Sequence, residues 1–462
     1  MPPAKPDRVT GAQWRTLAVL AFGTFLGALD IAVVSPALHT IGRELGIGGR
    51  EISWVITLYL VVYMISTPTM AVVSDRWGRR RTFAACIGVF GLGSLVAGTS
   101  VGYAWLLAGR AVQAVGAGGL FPIANTVAGE VFPPRRRGAA LGVISVVWGI
   151  AAIVGPPSGG WLTEHLGWRS VFFINVPLAA VALLPIRTIP ASGSSGPKRS
   201  FDAIGIALLG AGVAALAFGL NRLDSTDLLA SIASPWTWPW IVGGLAALGV
   251  FALVEHRSQS PAVPVGMFRS RGFDIGMALS LLSGVVTAGL VYLPAYASEI
   301  LNANPTTAGL LVLATAATVG LLTAPLGWVV DWAGPRVLLV GGAGVTALGA
   351  GLVALAGSVA TFIGFQIVLG VGLSALLGAP IRYLVFAETD PEQHAAGQAL
   401  MSDTNSLGIL IGSALFGAFV GSHAHGGAGY REAYLMVAAA AAAGALLGLL
   451  IRPGRRRDQD AG

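Results

Sequence analysis

AVVSDRWGRRR, residues 71–81, sets Asp75, Arg76, Arg79, Arg80 and Arg81 between two long apolar runs. The run before it, Ile52 to Val73, and the run after it, Thr82 to Leu107, contain no charged side chain. Charges confined this way belong at a membrane surface, in a tight turn between two spans. A worn copy recurs as GWVVDWAGPR, residues 327–336, with Asp331 matching Asp75, Gly334 matching Gly78 and Arg336 standing near Arg79. Two copies of one turn imply two copies of the unit around it. The copies lie 256 residues apart. Six spans with short loops need only about 200 residues, so two further helices are expected between the halves.

Composition agrees with a polytopic membrane protein. Of 462 residues, 55% are hydrophobic and 11% charged, against about 25% charged in soluble domains. The 65 glycines read as contact points between helices in lipid, where small residues permit close approach. The net charge of +7 is an orientation signal, not a nucleic-acid patch. With fourteen spans and both ends inside, 22 of the 28 Lys and Arg fall on the cytoplasmic side, five fall outside and Arg110 lies within the bilayer. Cys86 is the only cysteine, which precludes an intrachain disulfide and leaves the redox compartment open. The first apolar segment, about Thr16 to Leu38, is too long for a signal-peptide core and carries Asp30, so it is expected to be a retained span.

In chain order, residues 1–188 are expected to form an N-terminal six-helix bundle whose sixth span covers Val171–Ile186. IPASGSSGPKRSFD, residues 189–202, reads as a cytoplasmic linker. Two additional helices occupy 203–257, a C-terminal six-helix bundle 258–452, and a basic cytoplasmic tail 453–462.

Ionisable groups inside the bilayer carry the sharpest functional signal, because each costs on the order of 2.5–3.5 kcal/mol at a helix centre. Asp30 lies mid-span in FLGALDIAVVSP. It is either a carboxyl that takes up and releases a proton or a permanently neutral acid bonded between helices. Arg110, in LLAGRAVQAVGAGG with Gln113 one turn on, either pairs with a carboxylate or backbone carbonyls, or snorkels to the outer interface. Aligning Gly116 with Gly370 sets Gly364 opposite Arg110, which concentrates ion handling in the first half. Asp403, followed by Thr404, Asn405 and Ser406, is a candidate second proton or cation site or else an interfacial acid. Tyr59, Tyr63, Trp148 and Tyr292, with Asn405, are candidate cavity residues, against the alternative that such aromatics only pack. GVISVVWGIAAIVGPPSGGW, residues 142–161, thins the fifth span at Gly155, Gly159 and Gly160 and removes donors at Pro156 and Pro157. That helix is built to bend or to seal against a neighbour. There is no Cys/His metal spacing, phosphate-cradling GxxxxGK or GxSxG elbow, so no enzyme activity, metal or cofactor is expected.

Together these stretches resemble the major facilitator superfamily, and within it the 14-span drug:proton antiporters. Residues 71–81 are similar to motif A, GxLaDrxGrrr, with Ala71 for its leading Gly. Arg110, Gln113 and Gly116 are similar to motif B, RxxQGxGxA, with Ala114 for a Gly. Gly142, Gly155, Pro156, Gly159 and Gly160 match the antiporter motif of the fifth span, with Ala151 where a Gly is usual. WRSVFFINVP, residues 168–177, and the FDAIGIALLGAG opening of the seventh span are also family-typical. LDIAVVSPAL resembles LDxTIVNVALP but departs at Ala32, Ser35 and His39.

The resemblance implies an all-α fold of two six-helix bundles plus two additional helices, working as a rocker switch. Asp75, Arg76, Gly78 and Arg79 would form a cytoplasmic gate with Glu130, and Asp30 and Arg110 would carry proton coupling, to which Asp403 is added as a candidate from its own polar surroundings. The expected function is export of amphiphilic drugs or antibiotics in exchange for protons; the alternative is a dedicated exporter, or proton-coupled importer, of one metabolite, amino acid or lipid. A sensor or scaffold without turnover is the reading from another class. The expected partners are a small amphiphile, protons as the coupling ion and the lipid bilayer, for a monomer in the cell inner membrane with both termini cytoplasmic.

Overall fold

One glycine joins the long helices at each charged turn. In the computed structural model, which describes residues 10–191, 203–224, 226–257, 270–377, 379–388, 394–423 and 426–451, Gly78 has φ +89° and Gly334 φ +80°. An L-residue with a Cβ is strained there, so the glycine of the repeated motif is what lets a helix end and the next begin within one residue. Most of the expected linker, 192–202, and the tail, 452–462, lie outside the described residues.

Every regular element among the described residues is helical. The first half holds α1 (Gly11–Val34), α2 (Leu38–Leu45), α3 (Gly49–Trp77), α4 (Arg79–Gly98), α5 (Tyr103–Val131), α6 (Pro134–Leu166), α7 (Ser170–Phe173) and α8 (Asn175–Leu183). Then come α9 (Ala203–Asn221), α10 (Leu228–Ala233) and α11 (Trp238–Arg257). The second half holds α12 (Arg271–Val291), α13 (Leu293–Ile300), α14 (Pro305–Leu311), α15 (Leu313–Ala333), α16 (Pro335–Ala354), α17 (Val359–Leu376), α18 (Ala379–Ala387), α19 (His394–Gly421) and α20 (Gly426–Leu449). Eleven helices among the described residues are long and apolar enough to cross a membrane, and Ser170–Leu183 and Trp238–Val254 are shorter apolar helices. Leu92, Val146, Leu184, Leu245, Leu321 and Leu446 are exposed, as surfaces bathed in hydrocarbon require.

Local chemistry explains the ends and breaks. Thr10 opens α1 with a reciprocal cap: its hydroxyl accepts the Gln13 N–H while Gln13 Oε1 accepts the Thr10 N–H at 2.7 Å. The expected sixth span is interrupted at Ile174 and divides into α7 and α8. Pro177 supplies no N–H to the turn before it, which weakens the ladder there. Pro294 has the same effect where α12 gives way to α13.

The repeat is visible in contacts as well as in sequence. The offset of 256 relates the starts of α3 and α14, of α4 and α16, and of α5 and α17. It also relates their packing. A Cβ on Gly93 would lie 2.8 Å from Gln113 Cα, and one on Gly349 would lie 2.5 Å from Leu369 Cα. A Cβ on Gly116 would lie 2.9 Å from Phe90 Cα, and one on Gly372 would lie 2.7 Å from Thr346 Cα. Each helix pair therefore meets backbone to backbone at the same two places. This corrects the alignment of Gly116 with Gly370. Gly372 makes the equivalent contact, so the residue opposite Arg110 is Gln366, not Gly364.

The contacts divide the chain into two units. The first comprises Met1–Ala214 with Ala303–Leu310, and the second Ala215–Asn302 with Leu311–Gly462. The second unit has an aliphatic core of Ile275, Leu279, Leu339, Leu376 and Leu384. It also has an aromatic one, in which Tyr296 stacks on Phe362 at 5.3 Å and meets Tyr434 edge-on.

Candidate functional site: a buried ion pair in the first unit

Three helices bring the site together because glycine removes the side chains that would hold them apart. Gly93, Gly109 and Gly116 set α4 directly against α5, and Gly118 sets α5 against α3 at Ser66. At that spacing short polar side chains reach across. Asp30 on α1, Arg110 and Gln113 on α5, and Ser94 on α4 are all fully buried, with Asn175 of α8 1% exposed.

Asp30 is the acceptor at the centre. Arg110 Nη1 donates to Asp30 Oδ2 in a salt bridge, while Gln113 Nε2 and Asn175 Nδ2 donate to Oδ1 at 3.0 and 2.9 Å. Arg110 is held on three further sides. Its Nε donates to the Val55 carbonyl at 3.1 Å, its Nη1 to Gln113 Oε1 at 2.9 Å, and its guanidinium lies 4.1 Å from the centre of the Tyr59 ring. A desolvated cation over an aromatic face gains about 2 kcal/mol. Gln113 Nε2 also reaches Ser94 Oγ at 2.7 Å. Arg110 Nη2, Asn175 Oδ1 and the Tyr59 hydroxyl have no hydrogen-bond partner among the described residues. Arg110 is therefore paired inside the bundle rather than snorkelling to the interface. The charges offset each other, while a guanidinium donor, an amide acceptor and a hydroxyl beside them are left unpaired among the described residues.

At the charged turn, Arg79 binds Asp75 through Nη1, Ser74 Oγ at 2.9 Å, and Glu130 through Nη2 at 3.0 Å. Arg76 is exposed. The pair with Glu130 is partly solvated, and such pairs contribute about 0–1 kcal/mol; its significance is in tying α4 to the end of α5. In the second copy Arg336 instead donates to the Leu449 carbonyl at 3.0 Å.

α6 runs as one helix through Pro156 and Pro157, and its glycines are contact points. Gly155 abuts Ala32 and Gly159 the Val33 backbone on α1, while Gly160 abuts Pro305 and the Pro156 carbonyl abuts Gly309 on α14. Pro156 and Gly160 thus face Pro305 and Gly309, two small residues four apart on each helix. Glu164 completes the contact by accepting the Thr306 N–H at 3.1 Å at the start of α14. Gly142 and Trp148 lie on α6 at positions whose surroundings are outside the described residues.

The remaining candidates stand apart from the ion pair. Tyr63 stacks near Tyr59 at 6.3 Å. Tyr292, in the second unit, stacks on Phe416 at 4.3 Å and bonds Ser413 Oγ at 2.8 Å, so ring and hydroxyl are both taken up by packing. Asp403 is an exposed position on α19. Asn405 Nδ2 donates to the Ser280 carbonyl at 3.2 Å, fastening α19 to α12. Sequence reasoning did not find Ser94 and Asn175. The signal was a lone amide inside the apolar stretch FFINVP.

Comparison with known proteins agrees with this architecture. The profile of the Major Facilitator Superfamily matches residues 20–292 and 275–461. The MFS-type transporter Rv1250 of Mycobacterium tuberculosis is 30% identical over 415 residues, covering 88% of this chain and 70% of the relative. The multidrug resistance protein B homolog of the same organism is 27% identical over 422 residues, covering 89% and 76%. Among solved structures, a POT family transporter in complex with a thioalcohol-conjugated peptide superimposes with a TM-score of 0.71 at 16% identity, covering 94% of this chain and 95% of that one; that likeness concerns the fold. With its helices, its repeated turn and its profile match in agreement, the chain belongs to the Major Facilitator Superfamily.

Proposed function

We propose that this transporter exports amphiphilic compounds in exchange for protons, by alternating access, from a 14-span chain with both termini cytoplasmic. The observation that carries the reading is the Asp30–Arg110 pair, buried in a membrane helix bundle and ringed by Gln113 and Asn175. A proton arriving at Asp30 forms a carboxyl O–H bond and cancels the charge that holds Arg110. The guanidinium then loses its counter-charge but keeps the Val55 carbonyl and the Tyr59 face. A proton bound this way shifts the balance between inward- and outward-facing states only as far as its affinity for the two differs. An amphiphile that competes for the same balance is exchanged against it.

Several observations support the finer parts of the proposal. The eleven long apolar helices, α6, and the two shorter apolar helices together supply enough segments for fourteen spans. The close contacts of Gly155, Gly159 and Gly160 suit a helix whose register against its neighbours governs sealing. Relatives named as a multidrug resistance protein B homolog and as an efflux pump make export the first direction to test. Asp403 serves as a second titrating acid in this scheme, and Arg79 with Glu130 as the cytoplasmic clasp. The protein works as a monomer in the cell inner membrane. The decisive experiment is substrate-driven proton release in proteoliposomes: Asp30→Asn abolishes it, and unchanged release from that variant would end the antiport reading. A single-metabolite carrier would instead accept one compound and reject a panel of unrelated amphiphiles.

A further inference from the structure

The second half contains a remnant of the Arg110 site that has kept its shape and exchanged its charge for an amide. The packing register equates Gln366 with Arg110, Leu369 with Gln113 and Thr315 with Tyr59, each 256 residues on. Gln366 and Thr315 are in contact, as Arg110 and Tyr59 are. Gln366 is fully buried on α17, and Thr315 on α15 is 2% exposed.

The carboxamide is satisfied at one end only. Thr315 Oγ1 donates to Gln366 Oε1 at 2.9 Å and lies 3.3 Å from the Gln366 carbonyl, so the hydroxyl proton is committed to Gln366 itself. Gln366 Nε2, with two hydrogens to give, has no acceptor among the described residues. Buried polar groups in native proteins are almost always paired, and an orphan in a membrane bundle calls for an occupant. α14 also gives way to α15 at Val312, one turn before Thr315, with the Val312 carbonyl accepting the Ala316 N–H at 3.1 Å.

We infer that Gln366, oriented by Thr315, is a substrate-recognition residue of the second half, donating from Nε2 to an oxygen acceptor (a ketone, ester or carboxylate) on the transported amphiphile. This rests on the export reading and adds a selectivity to it. Compounds with a suitable oxygen gain from Gln366, and compounds without one do not. A neutral amide suits a carrier of varied cargo, since it recognises an acceptor without fixing the net charge of the ligand.

The test uses the full chain in proteoliposomes with two probes: norfloxacin, which presents ketone and carboxylate oxygens, and ethidium, which has no oxygen. Gln366→Leu is expected to raise the KM for norfloxacin about tenfold, the effect of losing one charge-assisted hydrogen bond, and to leave that for ethidium within about twofold. Ethidium transport also reports that the variant is folded. Should the leucine variant not be folded, Gln366→Met, which keeps the length and nearly the volume but has no N–H to donate, is expected to show the same selective loss. Equal effects on both probes, or none on either, would overturn the site while leaving export standing. If the wild type carries neither probe, the export reading falls and the site falls with it.

Discussion

Removing Arg110 and Asp30 singly and together separates an ion pair that is coupled from two polar residues that are merely close. Arg110→Met deletes the donations to Asp30, Gln113 and the Val55 carbonyl while keeping a long side chain under Tyr59. Asp30 then holds only the Gln113 and Asn175 amides, with no counter-charge, in a fully buried position. Breaking one partner of a buried pair costs about 3–5 kcal/mol. Asp30→Asn strands Arg110 in the same way and is expected to cost about as much. In the double variant no orphan charge remains, so its loss should be about 2–4 kcal/mol, well below the roughly 6–10 kcal/mol that independent losses would give. The assay is reversible unfolding in mixed micelles at a pH where carboxylates are ionised, with all four proteins in the same detergent. A double variant whose loss equals the two single losses combined, within about 0.5 kcal/mol, would refute the coupling and with it the use of this pair as the protonation switch.

Two further outcomes follow from the same contacts. Asn175→Ala removes one of the donors to Asp30 Oδ1 and should cost about 1–3 kcal/mol in detergent unfolding, since a buried charged acceptor loses a partner, while Asn175→Gln restores part of it; an unmoved unfolding midpoint would exclude a positioning role. Gly116→Ala and Gly372→Ala set a methyl against the backbone of Phe90 and Thr346 respectively, and each should cost about 1–3 kcal/mol. Gly129→Ala, where a Cβ meets nothing within 4 Å, should be neutral or stabilising by up to about 1 kcal/mol; equal effects at all three, measured by detergent unfolding, would contradict the backbone contacts.

Much of this was legible in the chain because the membrane simplifies its grammar. A cluster such as SDRWGRRR can stand only at a surface, so the turn, the repeat and the offset of 256 were available before any coordinates. Asp30 and Arg110 were legible for the complementary reason, since a charge inside an apolar span must be accommodated. Their partners were not. Ser94 and Asn175 are neutral, and a neutral polar residue in a span is cheap enough to occur without purpose; only the shared orientation toward Gln113 and Asp30 distinguishes them. The register of the second half was ambiguous because Gly370 and Gly372 both fit a small-residue pattern, and the choice depends on which one meets Thr346. Tyr292 failed as a pointer for a similar reason: an aromatic in a span looks the same whether it lines a cavity or stacks on Phe416.

The repeat also explains why one half carries the charge. At the shared offset the scaffold is kept: Gly78 and Gly334 turn alike, Gly93 and Gly349 pack alike, Gly116 and Gly372 pack alike. The polar inventory is not kept, for Asp30, Ser94, Arg110 and Gln113 are answered by Val286, Ala350, Gln366 and Leu369. Backbone contacts between helices constrain both halves equally, since a methyl in the wrong place separates the helices whichever half it is in. Charge is constrained differently. A second buried pair would add its own desolvation cost. With one buried pair that cost is met once, and the equivalent position holds the neutral Gln366 amide. The asymmetry at Arg110 and Gln366 is thus a difference of side chains on one duplicated scaffold, a paired ion in the first copy and an amide in the second, to which the proposal above assigns an oxygen acceptor.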